Sequence, residues 1–146
     1  MKEISSSIQI EASPETVWGL LTDFQSYPEW NPFIPSIEGE PSVGNQLEAR
    51  LTPPDGMAMT FKPKVLLADS NREFRWRGKL MMTGIFDGEH YFQIEPAGDG
   101  VRFTQGERFT GVLVPLMGLM GVYGKTQNGF EAMNEALKSR AEARAR

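Results

Sequence analysis

The chain has 146 residues, of which 40% are hydrophobic and 23% charged, a length and apolar content that suit one globular domain spanning residues 1–146. Its 15 basic and 19 acidic residues provide no phosphate-neutralising surface, so we expect no nucleic-acid partner. It has no cysteine, which excludes disulfides, thiolate nucleophiles and Cys-ligated zinc. The sequence shows no signal peptide and no stretch of membrane-spanning length, so we expect a cytoplasmic protein.

The first thirty residues predict a strand followed by two short helices. Isoleucines alternate with polar residues over 4–10, as in a strand with one buried face. Ser13 is suited to cap a helix and Pro14 to occupy its first position. Pro28 and Pro32 then prevent a smooth continuation, which favours a second short helix or a turn.

The middle of the chain predicts an antiparallel meander of six strands. Turn residues cluster at 41–45, 53–56, 69–71 and 96–100. Between them one face of each segment is apolar and the other charged, which indicates a sheet with one wet face. The apolar positions are Leu47, Ala49, Leu51, Met57, Met59, Phe61, Phe74, Trp76, Phe86, Phe92, Ile94, Val101, Phe103 and Phe109.

The C-terminal third predicts one long helix that covers the apolar face of the sheet. Apolar side chains recur there at helical spacing: Leu116, Leu119, Met120, Tyr123, Phe130, Met133 and Leu137. Gly118, Gly121 and Gly124 lie within this segment, and each costs about 1 kcal/mol relative to Ala. The helix should therefore fray or bend there, or leave space above the sheet.

Two segments carry a family resemblance. Residues 17–24, VWGLLTDF, and 27–34, YPEWNPFI, resemble the START-like (SRPBCC) superfamily of polyketide cyclases, lipid-transfer domains and pathogenesis-related plant proteins. Residues 86–96 and 100–109 resemble the last hairpin of its bacterial members. This full-length resemblance implies an α+β helix-grip fold. Such a fold has a seven-stranded curved antiparallel sheet around a long C-terminal helix, and two short helices closing one edge of a cavity.

The final predicted hairpin places the most reactive side chains of the chain together. Strand alternation directs His90 to the same face as Gln105 and Glu107, among aromatic residues. Such surroundings shift pKa values, so His90 and Glu107 are candidates for ligand contact or for acid/base catalysis. The alternative is that the two groups satisfy each other or a buried water in the core.

Together these patterns predict an interior pocket. Its expected ligand-binding residues are Trp30, Phe61, Trp76, Phe86, His90, Phe92, Phe103, Gln105, Glu107, Met120 and Tyr123. Seven methionines either add adaptable surface for apolar ligands or fill gaps in the core: Met57, Met59, Met81, Met82, Met117, Met120 and Met133. A lone histidine without suitably spaced carboxylates argues against a metal site. No nucleophile elbow or phosphate loop is present, and we expect no cofactor.

Three functions remain open on the sequence. The first is binding of a small hydrophobic ligand, lipid-like or aromatic, in an internal cavity. The second is a polyketide cyclase or dehydrase, a kind of protein found in the superfamily that the chain resembles. His90, with Glu107 or Gln105, would then be the acid and base, an assignment that comes from strand alternation. The third is a protein-interaction module with a vestigial pocket.

Overall fold

A computed structural model describes residues 1–80 and 82–145, which form eight strands and four α-helices. Met81 and Arg146 lie outside the described residues. The elements are β1 (Lys2–Ile10), α1 (Pro14–Thr22), α2 (Tyr27–Trp30), β2 (Ser36–Glu38), β3 (Glu48–Leu51), β4 (Met59–Phe61), β5 (Lys64–Asp69), β6 (Glu73–Lys79), β7 (Asp87–Ala97), β8 (Gly100–Thr110), α3 (Val114–Leu119) and α4 (Val122–Arg144). The fold is thus α+β, with antiparallel sheets and a long C-terminal helix, as the sequence predicts.

The N-terminal elements form for the local reasons visible in the sequence. The Ser13 hydroxyl accepts a hydrogen bond from the backbone N–H of Thr16 at 3.1 Å, and Pro14 occupies the first helical position. A single 3₁₀ turn, Phe24–Ser26, joins α1 to α2. The two predicted short helices after the first strand are therefore confirmed.

The prediction of one seven-stranded sheet is wrong, because eight strands form two sheets. The larger has the order β1-β8-β7-β6-β5 and the smaller β2-β3-β4, with all pairs antiparallel. A bridge between Gln46 and Lys64, with backbone hydrogen bonds on either side of it, links them. The division falls at Pro63, which has no backbone N–H to continue a ladder and separates β4 from β5.

The C-terminal segment is two helices rather than the one predicted. Gly121 adopts a left-handed conformation, φ 76°, which ends α3 and redirects the chain into α4. The core residues Phe130, Met133 and Leu137 of α4 are fully buried. In α3, by contrast, Leu116 and Leu119 are 47% and 88% exposed. The glycine-rich stretch therefore breaks the helix, and of these two helices it is α4 that covers the sheet.

Helix α4 packs mainly on β1, at one end of the larger sheet. Under it lies an aromatic core in which Phe92 of β7 stacks between Phe74 and Phe103. The β7–β8 register pairs His90 with Glu107, one of the two residues, Gln105 and Glu107, that the sequence places near it. None of the helices in the described part of the chain has the length and hydropathy that a membrane-spanning segment needs.

Candidate functional site

A pocket of about 290 Å³ lies between the two sheets and the first turns of α4. Its wall is mainly apolar, with polar groups at separate points. The residues that line it are Phe33, Ala49, Leu51, Pro53, Gly56, Met57, Met59, Phe61, Pro63, Trp76, Gly78, Lys79, Phe86, Gly88, His90, Glu107, Phe109, Met120, Val122, Lys125 and Thr126.

Six of the eleven residues predicted for a pocket lie in this wall, and five do not. The six are Phe61, Trp76, Phe86, His90, Glu107 and Met120. Of the methionines discussed above, Met57 and Met59 also line the pocket. Met81 lies outside the described residues.

The other five predicted residues have structural contacts instead. Phe92 and Phe103 are fully buried in the aromatic core, and Gln105 is buried behind His90. The ring of Trp30 packs on Tyr27 at 5.2 Å. The Tyr123 hydroxyl donates a hydrogen bond to the Val114 carbonyl, which ties α4 to α3.

His90 sits in an aromatic cage at the inner end of the pocket. Its ring centroid lies 4.6 Å from that of Phe92, 5.0 Å from Phe130 and 5.1 Å from Trp76. Burial lowers the pKa of His90 from 6.5 to about 4, and a hydrogen bond with Gln105 opposes this only in part. The imidazole is therefore neutral near pH 7.

Glu107 lies directly across the hairpin from His90. Its Oε1 is 3.5 Å from His90 Nδ1, at the long limit of a hydrogen bond, and its side chain is 16% exposed. Burial raises the pKa of Glu107 from 4.5 to about 8, because the carboxylate loses its hydration. Both groups are thus uncharged near neutral pH, with the carboxyl facing the imidazole.

Gly88 gives the Glu107 carboxyl its place in the wall. A Cβ at residue 88 would overlap Glu107 Oε2, so any larger residue would displace the carboxyl. Both residues line the pocket, which puts Oε2 in contact with its interior. Sequence alternation identifies Gly88 as inward-facing, but not that a carboxyl occupies the space it leaves.

Two lysines supply positive charge elsewhere in the wall. Lys79 at the end of β6 and Lys125 in the first turn of α4 line the pocket, and both are exposed. Because these residues reach solvent whereas His90 is buried, the pocket runs from a basic outer end to a neutral inner pair. No sequence pattern indicates this arrangement, since the two lysines are remote along the chain.

Asn134 is a buried polar residue next to the site that the sequence analysis missed. It is 2% exposed on α4 and accepts a hydrogen bond from Gln105 at 2.9 Å. The sequence feature that could have identified it is its position, as a polar residue, within the apolar stripe from Phe130 to Leu137. A carboxamide at such a position needs partners, and these proved to be the residues behind His90.

The arrangement can perform two kinds of chemistry. The apolar wall can bury a small hydrophobic body, and the polar groups can orient it. A neutral carboxyl beside a neutral imidazole can also exchange a proton with a bound molecule, since each group titrates away from its ordinary range.

Comparison with known proteins places this fold among related ones. The family model for "Polyketide cyclase / dehydrase and lipid transport" matches residues 1–142. No curated protein sequence matches the chain significantly.

Solved structures of similar fold cover nearly the whole chain. The Zhui aromatase/cyclase from Streptomyces sp. R1128 has a TM-score of 0.79 at 17% identity, covering 99% of this chain and 96% of that one. A START superfamily protein from Mycobacterium smegmatis has a TM-score of 0.72 at 26% identity, covering 97% of each. A protein from Thermus thermophilus has a TM-score of 0.77 at 20% identity, covering 99% of this chain and all of that one. The resemblance to the START-like superfamily is thereby confirmed, and the chain belongs to the polyketide cyclase/dehydrase and lipid transport family.

Proposed function

We propose that this protein binds a small, mainly apolar ligand that carries a polar group, with the apolar body in the pocket and the polar group at His90 and Glu107. The observation that carries this proposal is an apolar pocket of about 290 Å³ with a neutral polar pair at its inner end. Ligand sites commonly combine hydrophobic walls with a few placed polar groups, and this volume is at the small end of their range.

The wall chemistry favours a flat, aromatic or otherwise unsaturated body. Trp76, Phe61 and Phe86 offer ring faces and edges, which pair well with other rings. Met57 and Met59 add polarizable side chains that adapt to irregular shapes. Both methionines are exposed, at 84% and 48%, so a ligand that covered them would remove apolar surface from water.

Filling the pocket should weaken ligand binding without damaging the fold. We expect Gly78→Leu to do this, because a Cβ at Gly78 would meet only Pro63, at 3.9 Å, and the residue lines the pocket. Binding of β-naphthol, followed by quenching of tryptophan fluorescence, should weaken at least about tenfold, a loss of roughly 1.4 kcal/mol. The melting temperature should stay the same or rise, because the new side chain buries apolar surface.

The matched control is Gly19→Leu on α1, where a Cβ would meet nothing within 4 Å and which is not part of the pocket wall. This variant should bind β-naphthol as the wild type does. If Gly78→Leu bound the probe equally well, the pocket would not be the binding site.

A cyclase or dehydrase activity is the second candidate, favoured by the shifted pKa values of the pair. Dehydration of a β-hydroxy ketone removes a proton from the α-carbon and delivers one to the departing hydroxyl. Glu107 Oε2 would take the α-proton while His90 Nδ1 receives the proton that the carboxyl held. The pair would then return one proton to the hydroxyl, which leaves as water.

This second candidate predicts a large kinetic effect of an isosteric change. Glu107→Gln keeps the shape of the side chain but cannot exchange a proton, so enone formation from a β-hydroxy ketone should slow by about 10²- to 10⁴-fold. The rise in enone absorbance provides the measurement, and the exposed Glu95→Gln is the control. Equal rates in the wild type and Glu107→Gln would exclude catalysis by this pair and leave the binding function standing.

A further inference from the structure

A chain of buried polar groups runs from β1 to the pocket. Asn134 Nδ2 donates to the backbone carbonyl of Ser6 at 3.2 Å, and Gln105 Nε2 donates to Asn134 Oδ1 at 2.9 Å. Gln105 Oε1 lies 2.9 Å from His90 Nε2. His90 Nδ1, on the other side of the ring, faces Glu107 Oε1 at 3.5 Å.

The far end of this chain fixes the direction of every hydrogen bond in it. The Ser6 carbonyl can only accept, so Asn134 must point its NH₂ group at Ser6 and its oxygen at Gln105. Gln105 must then donate to Asn134, which turns its own oxygen towards His90. A carbonyl oxygen can only accept, so His90 must carry a proton on Nε2.

Burial prevents either amide from reversing the direction of its hydrogen bonds. His90, Gln105 and Asn134 are exposed by 1%, 0% and 2%. A buried amide that faced its neighbour with the wrong atom would lose a hydrogen bond that water could not replace. One reversed amide would therefore leave unpaired groups at both of its ends.

The directions of these hydrogen bonds also determine whether the inner end of the pocket donates a hydrogen bond to a ligand or accepts one from it. With Nε2 protonated, the neutral ring has its lone pair on Nδ1, which faces Oε1 at 3.5 Å, so a carboxyl proton is best placed on Oε1, where it separates the two lone pairs. Whichever of the two groups holds that proton, Oε2 keeps only lone pairs. Oε2 lies against Gly88 in the pocket wall, so the inner end of the pocket is a hydrogen-bond acceptor.

We propose that Gln105 and Asn134 are positioning residues that hold His90 as its Nε2–H tautomer, so that Glu107 Oε2 selects ligands with a hydroxyl donor, such as phenols and alcohols. This inference rests on the proposed binding function for its ligand part. The tautomer part stands on the buried hydrogen-bond chain alone.

Nitrogen NMR of the imidazole tests the tautomer without any ligand. His90 is the only histidine in the chain, so its two ring nitrogens need no assignment by mutation. In the wild type Nε2 should carry a proton. In Asn134→Leu the Gln105 amide loses its acceptor and can turn to donate to His90, so Nε2 should lose its proton and Nδ1 gain one.

The control is Met133→Ala, because Met133 is fully buried on the same helix but is not part of the chain of polar groups. It should lower stability and leave Nε2 protonated, which separates a specific effect from general loosening. Wild-type protein with an unprotonated Nε2, or Asn134→Leu with the wild-type tautomer, would overturn the assignment.

Ligands that differ only in their hydroxyl group test whether the pocket selects a hydroxyl donor. Wild-type protein should bind β-naphthol roughly 3- to 10-fold more tightly than its methyl ether, the factor expected for one net hydrogen bond. β-Ethylnaphthalene, which matches the ether in size, reports the effect of bulk alone. Asn134→Leu should lose or reverse the preference for the hydroxyl, whereas Met133→Ala should keep it.

The outcomes separate this inference from the proposed function. Equal binding of β-naphthol and its ether by the wild type would overturn the selection and leave ligand binding intact. Failure of all three naphthalenes to bind would count against the proposed function and the selection together. The nitrogen spectra would still decide the tautomer.

Discussion

Replacing Phe92 by Ala is expected to lower the free energy of unfolding by about 3–5 kcal/mol, the usual cost of removing a buried phenyl ring. Phe92 has no exposed surface, and its ring lies 6.3 Å from Phe74, 6.1 Å from Phe103 and 4.6 Å from His90, centroid to centroid. Truncation would leave a cavity in the middle of this stack. Urea unfolding at constant m-value measures the loss.

Phe61→Ala is the contrasting variant. Phe61 is only half-buried and lines the pocket, so truncation should cost little stability and weaken β-naphthol binding instead. A Phe92→Ala protein that kept its stability but lost binding would reverse the assignment and place Phe92 in the ligand site.

This contrast marks the limit of what strand periodicity predicts. Alternation correctly put Phe61, Phe92 and Phe103 on the inner face, because successive residues of a strand point to opposite sides. Alternation does not indicate which part of the inner face of the sheet a helix covers. Helix α4 packs over the β1 and β8 end, so Phe92 and Phe103 are core whereas Phe61 faces open space.

The position of His90 near Gln105 and Glu107 was predictable, because all three residues lie in one hairpin. A hairpin with a short turn has one register, and a shift of one residue would reverse both faces. Two residues on opposite strands are therefore placed by the turn between them. Asn134 reaches Gln105 only through the packing of α4, which no local pattern specifies.

The break at Gly121 was predictable only in part. The three glycines predicted weakness in the helix, but an average propensity does not say at which residue a chain will bend. Gly121 adopts the left-handed conformation and ends α3, whereas Gly124 is an ordinary helical residue of α4. The break leaves α4 to start beside the pocket, where Val122 and Lys125 line its wall.

The stability of the wild type should fall as the pH rises from about 6.5 to 8, and this fall should vanish in Glu107→Gln. Burial raises the pKa of Glu107 from 4.5 to about 8, so between these values the folded protein holds a proton that the unfolded chain has released. Raising the pH then favours unfolding, by at most about 1.4 kcal/mol per pH unit.

The titration of His90 changes stability with pH in the opposite direction. It therefore sets the lower limit of the pH range in which stability falls. Its pKa falls from 6.5 to about 4 on folding, so below pH 6.5 the unfolded chain binds a proton that the folded protein does not. Stability from this group rises with pH between about 4 and 6.5 and is then constant. The two groups oppose each other from about 4.5 to 6.5, and Glu107 acts without His90 above that range.

Urea titrations at intervals of pH give the measurement, with Glu95→Gln as an exposed control that should retain the wild-type slope. A wild-type protein of constant stability from pH 6.5 to 8 would mean that Glu107 is ionised in the folded state. His90 would then be neutral beside a carboxylate, because an imidazolium–carboxylate pair holds as many protons as the neutral pair and would give the same fall. The inner end of the pocket would still accept a hydrogen bond at Oε2, but it would hold an unpaired negative charge among aromatic rings, which is costly.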